Sequence, residues 1–236
     1  MSNRTGVVCG FGDVNEGLGG LAWDLGEPGA VLLSDGEARP ASFAIEEGGD
    51  AAALEITAAE ASLEATLVPV TAEIALGGGV IGTVCHAEAR SEGGGRTVRC
   101  SGQICRWSTG PLSGAATFRQ IAIETGDDSY LIAVASGAPG AAGHGEEQTS
   151  GWRIEDEDAT AFEESLISTQ YDGSSDPTRI GLELWATGDD QTSRAAATRV
   201  AGSLLGGARI GGAWGGFFRC HTDGAEGLGT YVLWRA

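Results

Sequence analysis

The chain of 236 residues contains no lysine, and all 14 of its basic residues are arginine. That absence excludes Schiff-base and lysine general-base chemistry for the chain acting alone. Positive charge is scarce altogether, since 33 acidic residues bring the formal net charge to −19. Broad contact with nucleic acid or anionic lipid needs clustered basic residues, so no nucleic-acid partner and no membrane insertion are expected. The acidity serves solubility. No apolar run approaches the roughly eighteen residues of a membrane helix. The opening Met1-Ser2-Asn3-Arg4-Thr5-Gly6 lacks the apolar centre of a secretory signal. The expected location is the cytoplasm, and a homodimer is compatible with this composition.

Proline is scarce at 6 residues and aromatics make up 6% of the chain. Cysteines number five (Cys9, Cys85, Cys100, Cys105, Cys220), an odd count without a close C-x-x-C pair. A disulfide framework or a local zinc site is therefore not expected, and buried free thiols are. The three histidines (His86, His144, His221) lie far apart in sequence, with no ligand spacing, so no metal is expected. Cys85 and His86 are adjacent, which on a strand points them to opposite faces and disfavours a cysteine–histidine dyad. No G-x-S-x-G elbow is present.

Glycine is abundant. Its 40 residues are roughly 17% of the chain, against a usual value of about 7%, and they show no G-X-Y period. Glycines scattered in pairs and triplets supply turns and bulges between many short strands. The hydrophobic period is two in Ser62-Leu63-Glu64-Ala65-Thr66-Leu67 and in Ile180-Gly181-Leu182-Glu183-Leu184-Trp185, as in half-buried strands. Tyr130-Leu131-Ile132-Ala133-Val134-Ala135 is a continuous apolar run, which suits a strand covered on both faces. Turn signals such as Ser34-Asp35-Gly36, Glu92-Gly93-Gly94-Gly95 and Gly126-Asp127-Asp128 recur at about 8–12 residues, the spacing of meanders. About eight strands are expected on each side of Pro111, with a lobe boundary at 110/111 giving lobes 1–110 and 111–236. Segments 160–170 and 191–206 read as strands from their flanking turns. Capping-box spacing at Thr160–Glu163 and alanine content leave a helix open in each.

Two segments concentrate chemistry. Gly143-His144-Gly145-Glu146-Glu147-Gln148-Thr149-Ser150-Gly151-Trp152 puts a histidine and two carboxylates on a glycine-punctuated loop. Histidine exchanges protons near neutral pH, and a partly buried glutamate can be raised into that range. A solvated hairpin loop would look the same. In Trp214-Gly215-Gly216-Phe217-Phe218-Arg219-Cys220-His221-Thr222-Asp223, a regular strand puts Trp214 and Phe218 on one face. Arg219 and His221 share the other, with Asp223 following in phase. Arg219 could bind an anionic or carbonyl oxygen while Asp223 orients His221. A cross-strand salt-bridge row would give the same pattern.

The His144-Gly145-Glu146 loop past mid-chain and the closing Gly227-Leu228-Gly229-Thr230-Tyr231-Val232-Leu233-Trp234 resemble a known group. It is the carotenoid 1,2-hydratase (hydroxyneurosporene synthase) and tocopherol-cyclase-like group of lipocalin-related proteins. The resemblance implies an all-β, calycin-like chain of two packed lipocalin-like barrel or sandwich lobes, with a cofactor-free cavity between them. It also implies acid-initiated chemistry on an apolar, isoprenoid-like molecule. Carried over, His144, Glu146 and Glu147 become the catalytic candidates, with Glu146 or Glu147 donating the proton and His144 relaying it. Arg219, His221, Asp223, Trp152 and Trp214 become the substrate-binding candidates. The expected activity is that of a cofactor-independent lyase, hydratase or isomerase. The alternative is a non-catalytic carrier of lipocalin type using the same pocket.

Overall fold

The structure is a computed structural model. It describes residues 4–13, 18–24, 28–34, 37–69, 74–75, 80–93, 95–109, 117–126, 129–138, 145–155, 158–186, 198–210, 213–222 and 225–235. Among these residues the regular structure is entirely β, in two nine-stranded antiparallel sheets. Among the described residues nine strands stand before Pro111 and nine after it, against the roughly eight on each side that the turn signals indicate.

The first sheet holds β1 (Arg4–Asp13), β2 (Leu18–Asp24), β3 (Pro28–Ser34), β4 (Glu37–Gly48), β5 (Ala51–Ala58), β6 (Ala61–Pro69), β7 (Ile74–Ala75), β8 (Val80–Gly93) and β9 (Arg96–Thr109). Their order is β6-β5-β4-β3-β2-β1-β9-β8-β7, and a further β6–β8 pairing closes eight of them into a ring. Closure removes the free edges that would otherwise template aggregation. Alternation decides which face is buried. Leu54, Ile56, Leu63, Ala65, Leu67, Ala87 and Ala89 point to the core, while Glu55, Glu64 and Glu88 between them are exposed. Cys85 is buried and its neighbour His86 exposed, as strand geometry requires. The β8–β9 turn uses Gly95 at φ 75°, a left-handed conformation that suits glycine.

The second sheet holds β10 (Thr117–Gly126), β11 (Ser129–Gly137), β12 (Glu147–Glu155), β13 (Asp158–Ala161), β14 (Glu164–Tyr171), β15 (Pro177–Trp185), β16 (Thr198–Ile210), β17 (Ala213–Thr222) and β18 (Ala225–Arg235). Their order is β13-β12-β11-β10-β18-β17-β16-β15-β14. The strand reading holds for 164–170 and for 198–206, whereas 191–197 lie outside the described residues. The sheet curls until its ends approach. Phe162 N donates to Gly151 O of β12, and Glu163 N donates to Trp185 O of β15, both at 2.9 Å. Gly151 allows that approach, because a Cβ there would overlap Leu184 Cδ2 and crowd Ser165. β11 is buried on both faces from Leu131 to Gly137, as its unbroken apolar run predicts.

By contacts the chain divides into two compact units. One comprises 1–75, 80–111 and 206–216, and the other 76–79, 112–205 and 217–236.

Candidate functional site

The second sheet carries a buried charged pair. β10 reads Thr117-Phe118-Arg119-Gln120-Ile121-Ala122-Ile123, so Arg119 shares a face with Ile121 and Ile123. Pairing sets Arg119 opposite Ala135 on β11 and Leu233 on β18, and Ala135 opposite Thr149 on β12. Glu147 lies two residues from Thr149 and hence on the same face. Arg119 Nε donates to Glu147 Oε1 at 3.1 Å, and Arg119 Nη2 donates to Glu147 Oε2. The fork is bidentate, the geometry that best satisfies guanidinium and carboxylate together. Only 6% of the arginine side chain and 3% of the glutamate side chain are exposed.

Two hydroxyls extend the pair. Arg119 Nη1 donates to Thr169 Oγ1 of β14 at 3.2 Å, and Thr169 Oγ1 lies 3.0 Å from the Tyr231 hydroxyl of β18. Because its oxygen already accepts from Arg119, the Thr169 hydroxyl hydrogen can be donated on to Tyr231. Burial alone would lower the Arg119 pKa, but Tyr231, Glu147 and Tyr171 outweigh it and the net shift is upward. Burial pushes the fully enclosed Tyr231 phenol far up, Tyr171 adds to that, and Arg119 and Thr169 offset it only in part. The cluster therefore combines a fixed cation, its paired carboxylate and a phenol held in its protonated form, on a sheet face that continues with Ile121, Ile123, Leu131 and Ala133.

The chain has similar solved structures. Kievitone hydratase from Nectria haematococca matches with a TM-score of 0.64 at 11% identity, over 98% of this chain and 88% of that one. A protein provisionally named AttH from Nitrosomonas europaea matches with a TM-score of 0.61 at 13% identity, over 98% and 90%. CghA matches with a TM-score of 0.52 at 11% identity, over 98% and 74%. The fold is all-β and lipocalin-like. At these identities the likeness concerns the fold alone. No protein-family model matches the sequence, and neither does any curated protein sequence.

The candidate residues named from sequence fall in different settings. Glu147 is the buried partner of Arg119, whereas Glu146 is exposed in the turn that opens β12. His144 and Asp223 lie outside the described residues. Arg219 and His221 do share the exposed face of β17, opposite buried Phe218 and Cys220. Trp152 is buried on the face of β12 opposite Glu147, and Trp214 is buried with its ring over Gly207 and Gly216. Among the described residues no group of three or more acidic, histidine or cysteine side chains is arranged to hold a metal. No helix among them is long and apolar enough to cross a membrane.

Sequence reasoning missed Arg119 and Thr169 altogether. The signal for Arg119 was a charge in phase with Ile121 and Ile123 on an otherwise apolar strand. Tyr231 sits within the closing glycine motif that carried the family resemblance, but its hydroxyl partners come from a strand 62 residues away.

The first unit offers a different feature. A depression of about 850 Å³ is bordered by Glu46, Glu55, Glu64, Glu88, Arg90 and Arg99 of β4, β5, β6, β8 and β9. Its charged side chains are exposed and belong to the solvated face of the strands, whereas the buried Arg119–Glu147 pair is in the second unit.

Proposed function

We propose that the chain is a cofactor-independent enzyme of the lyase, hydratase or isomerase type acting on an apolar small molecule. Its acid–base chemistry is placed at Arg119, Glu147, Thr169 and Tyr231. The observation that carries this reading is the buried, bidentate Arg119–Glu147 pair linked through Thr169 to a phenol. A buried ion pair is rarely a net gain in stability over apolar packing, so its presence in a strand otherwise lined by isoleucine asks for another reason. The likeness in fold to kievitone hydratase, whose name states a hydration, adds support. The carotenoid hydratase and tocopherol-cyclase-like resemblance points to an isoprenoid substrate.

Within this reading Glu147 is the proton acceptor. Both of its carboxyl oxygens accept from Arg119, an arrangement that suits an acceptor better than the donor role the loop suggests in isolation. Tyr231 supplies the donor, its phenol kept protonated by burial. In a hydration Glu147 takes a proton from water as the water oxygen bonds to one carbon of the double bond, and Tyr231 gives its proton to the other carbon. In an isomerisation Glu147 takes the proton from one carbon, the double bond shifts and Tyr231 protonates the carbon at its far end. Return of the proton from Glu147 to Tyr231 restores both groups. Arg119 holds Glu147 in place, and Thr169 orients the phenol.

The test is a panel of isoprenoid alkenes and unsaturated phenolics, with products read by mass spectrometry as hydrated or isomeric species. Turnover by the wild type that is lost in Glu147→Gln and Tyr231→Phe supports the assignment. Turnover that survives in both variants places the chemistry elsewhere.

A second reading is a non-catalytic binding protein, favoured by the depression in the first unit, whose volume is that of a small-molecule site. Its charged border fits a polar ligand better than an isoprenoid one. Ligand retention without product, unaffected by either substitution, would decide for it.

A further inference from the structure

Gln120 is 0% exposed, and neither its amide nitrogen nor its amide oxygen has a hydrogen-bond partner. Thr230 is 6% exposed, and its hydroxyl is also unpartnered. The two belong together. Gln120 stands opposite Val232 and Ala122 stands opposite Thr230, so Gln120 and Thr230 are diagonal neighbours on one face of the β10–β18 pair. Diagonal positions are about 7–8 Å apart between Cα atoms, close enough for a long side chain and a hydroxyl to converge on one atom. This is the face opposite Arg119 and Tyr231, so neither of those groups can satisfy them. The residues directly opposite Gln120 are Val134 and Val232, which offer nothing polar, and its other buried polar diagonal neighbour, Ser136 of β11, makes no hydrogen bond to the amide.

An unpartnered buried amide is unfavourable on both its donor and its acceptor side, and buried polar groups of this kind are ordinarily paired with protein or with a bound molecule. The inventory of free valences defines the partner. Gln120 Nε2 needs an acceptor, Gln120 Oε1 needs a donor, and Thr230 Oγ1 can play either part. A ketone or ether would leave Oε1 unmet. A cation or anion would meet no counter-charge on Gln120, Thr230 or the valines beside them. We infer that Gln120 and Thr230 form a binding site for a neutral oxygen that carries its own hydrogen, the hydroxyl of a buried alcohol or a structural water. The site is distinct from the Arg119 cluster and does not depend on the activity proposed there.

The test combines a stability cycle with two direct probes, all on the full chain. Gln120→Leu and Thr230→Val keep side-chain size while deleting the polar atoms. If the site is occupied, each lowers the melting temperature, by about 2–4 °C or more. The double variant then loses less than the sum of the singles, because both remove the same bound oxygen. Native mass spectrometry separates the two sources. An alcohol appears as an added mass that Gln120→Leu abolishes, and water appears instead as an exchange cross-peak between solvent and the Gln120 side-chain amide. Either result supports the site. An unchanged or raised melting temperature in both singles, with no added mass and no cross-peak, overturns it.

Discussion

Arg119 and Glu147 meet in a bidentate fork although 28 residues separate them, because two successive strand registers place them on one face. The β10–β11 register puts Arg119 against Ala135, and the β11–β12 register puts Ala135 against Thr149. A slip of one residue in either would turn Glu147 to the other side of the sheet. The pair is thus a product of register, and it should report on register.

Its energetics predict an asymmetric mutational pattern. Glu147→Ala leaves the Arg119 guanidinium buried without its counter-charge, and should destabilise the fold by about 3–5 kcal/mol. Arg119→Met in the same background should recover much of that loss, since the orphaned charge goes with it. Urea denaturation of the two singles and the double measures the coupling. Additive losses would mean that the two groups do not depend on each other.

Tyr231→Phe removes one hydroxyl from the cluster without changing its shape. Thr169 can still accept from Arg119 and has only its donated hydrogen to place elsewhere, so the expected cost is about 1 kcal/mol. Thr169→Val should cost more, because it deprives both Arg119 Nη1 and Tyr231 of a partner. Equal effects would argue against the bridging role of Thr169.

The packing of β17 gives a prediction independent of charge. Phe218 lies between Gly202 of β16 and Gly229 of β18, and a Cβ at either glycine would overlap its ring. Gly202→Ala or Gly229→Ala should destabilise by about 1–3 kcal/mol, as overpacked cores do. Phe218→Leu should lessen the effect of either substitution by vacating the space. A glycine variant as stable as the wild type would show that the ring moves aside freely.

These relationships mark what could be read from the chain alone. The alternation in Ser62–Leu67 and the unbroken run Tyr130–Ala135 predict a half-buried strand and a doubly covered one, and β6 and β11 are those strands. The shared faces of Trp214 with Phe218 and of Arg219 with His221 follow from the same period of two. What period two does not carry is the partner. Nothing within Glu146–Glu147 says which carboxylate turns inward, since that depends on Arg119 two strands earlier in sequence. Thr169 looks like any strand threonine until the curl of the sheet brings β14 up to β10 and β18. Likewise Gln120 reads as a polar position in an apolar strand, and only burial on both sides of β10 makes its amide conspicuous.

The buried acids predict how stability changes at alkaline pH. Burial raises the Cys85 and Cys220 thiols from 9.0 to about 11, and moves Tyr231 upward from 10.0 as well. In each case the folded chain holds its proton more tightly than the unfolded chain. The associated stability is therefore complete below about pH 9, where both states are protonated. It declines as pH rises, because the unfolded thiols ionise first and the unfolded phenol follows above about pH 10. While a group is ionised only in the unfolded state, it lowers stability by about 1.4 kcal/mol per pH unit. The urea midpoint should hold steady from about pH 7 to 8.5 and then fall with a slope that steepens past pH 10. Cys85→Ala with Cys220→Ala should remove the first part of that fall, and Tyr231→Phe the second. A thiol reagent added at about pH 8 should leave both cysteines unmodified until the protein is unfolded. A midpoint that stays flat to about pH 10.5 would mean that these groups are reached by water.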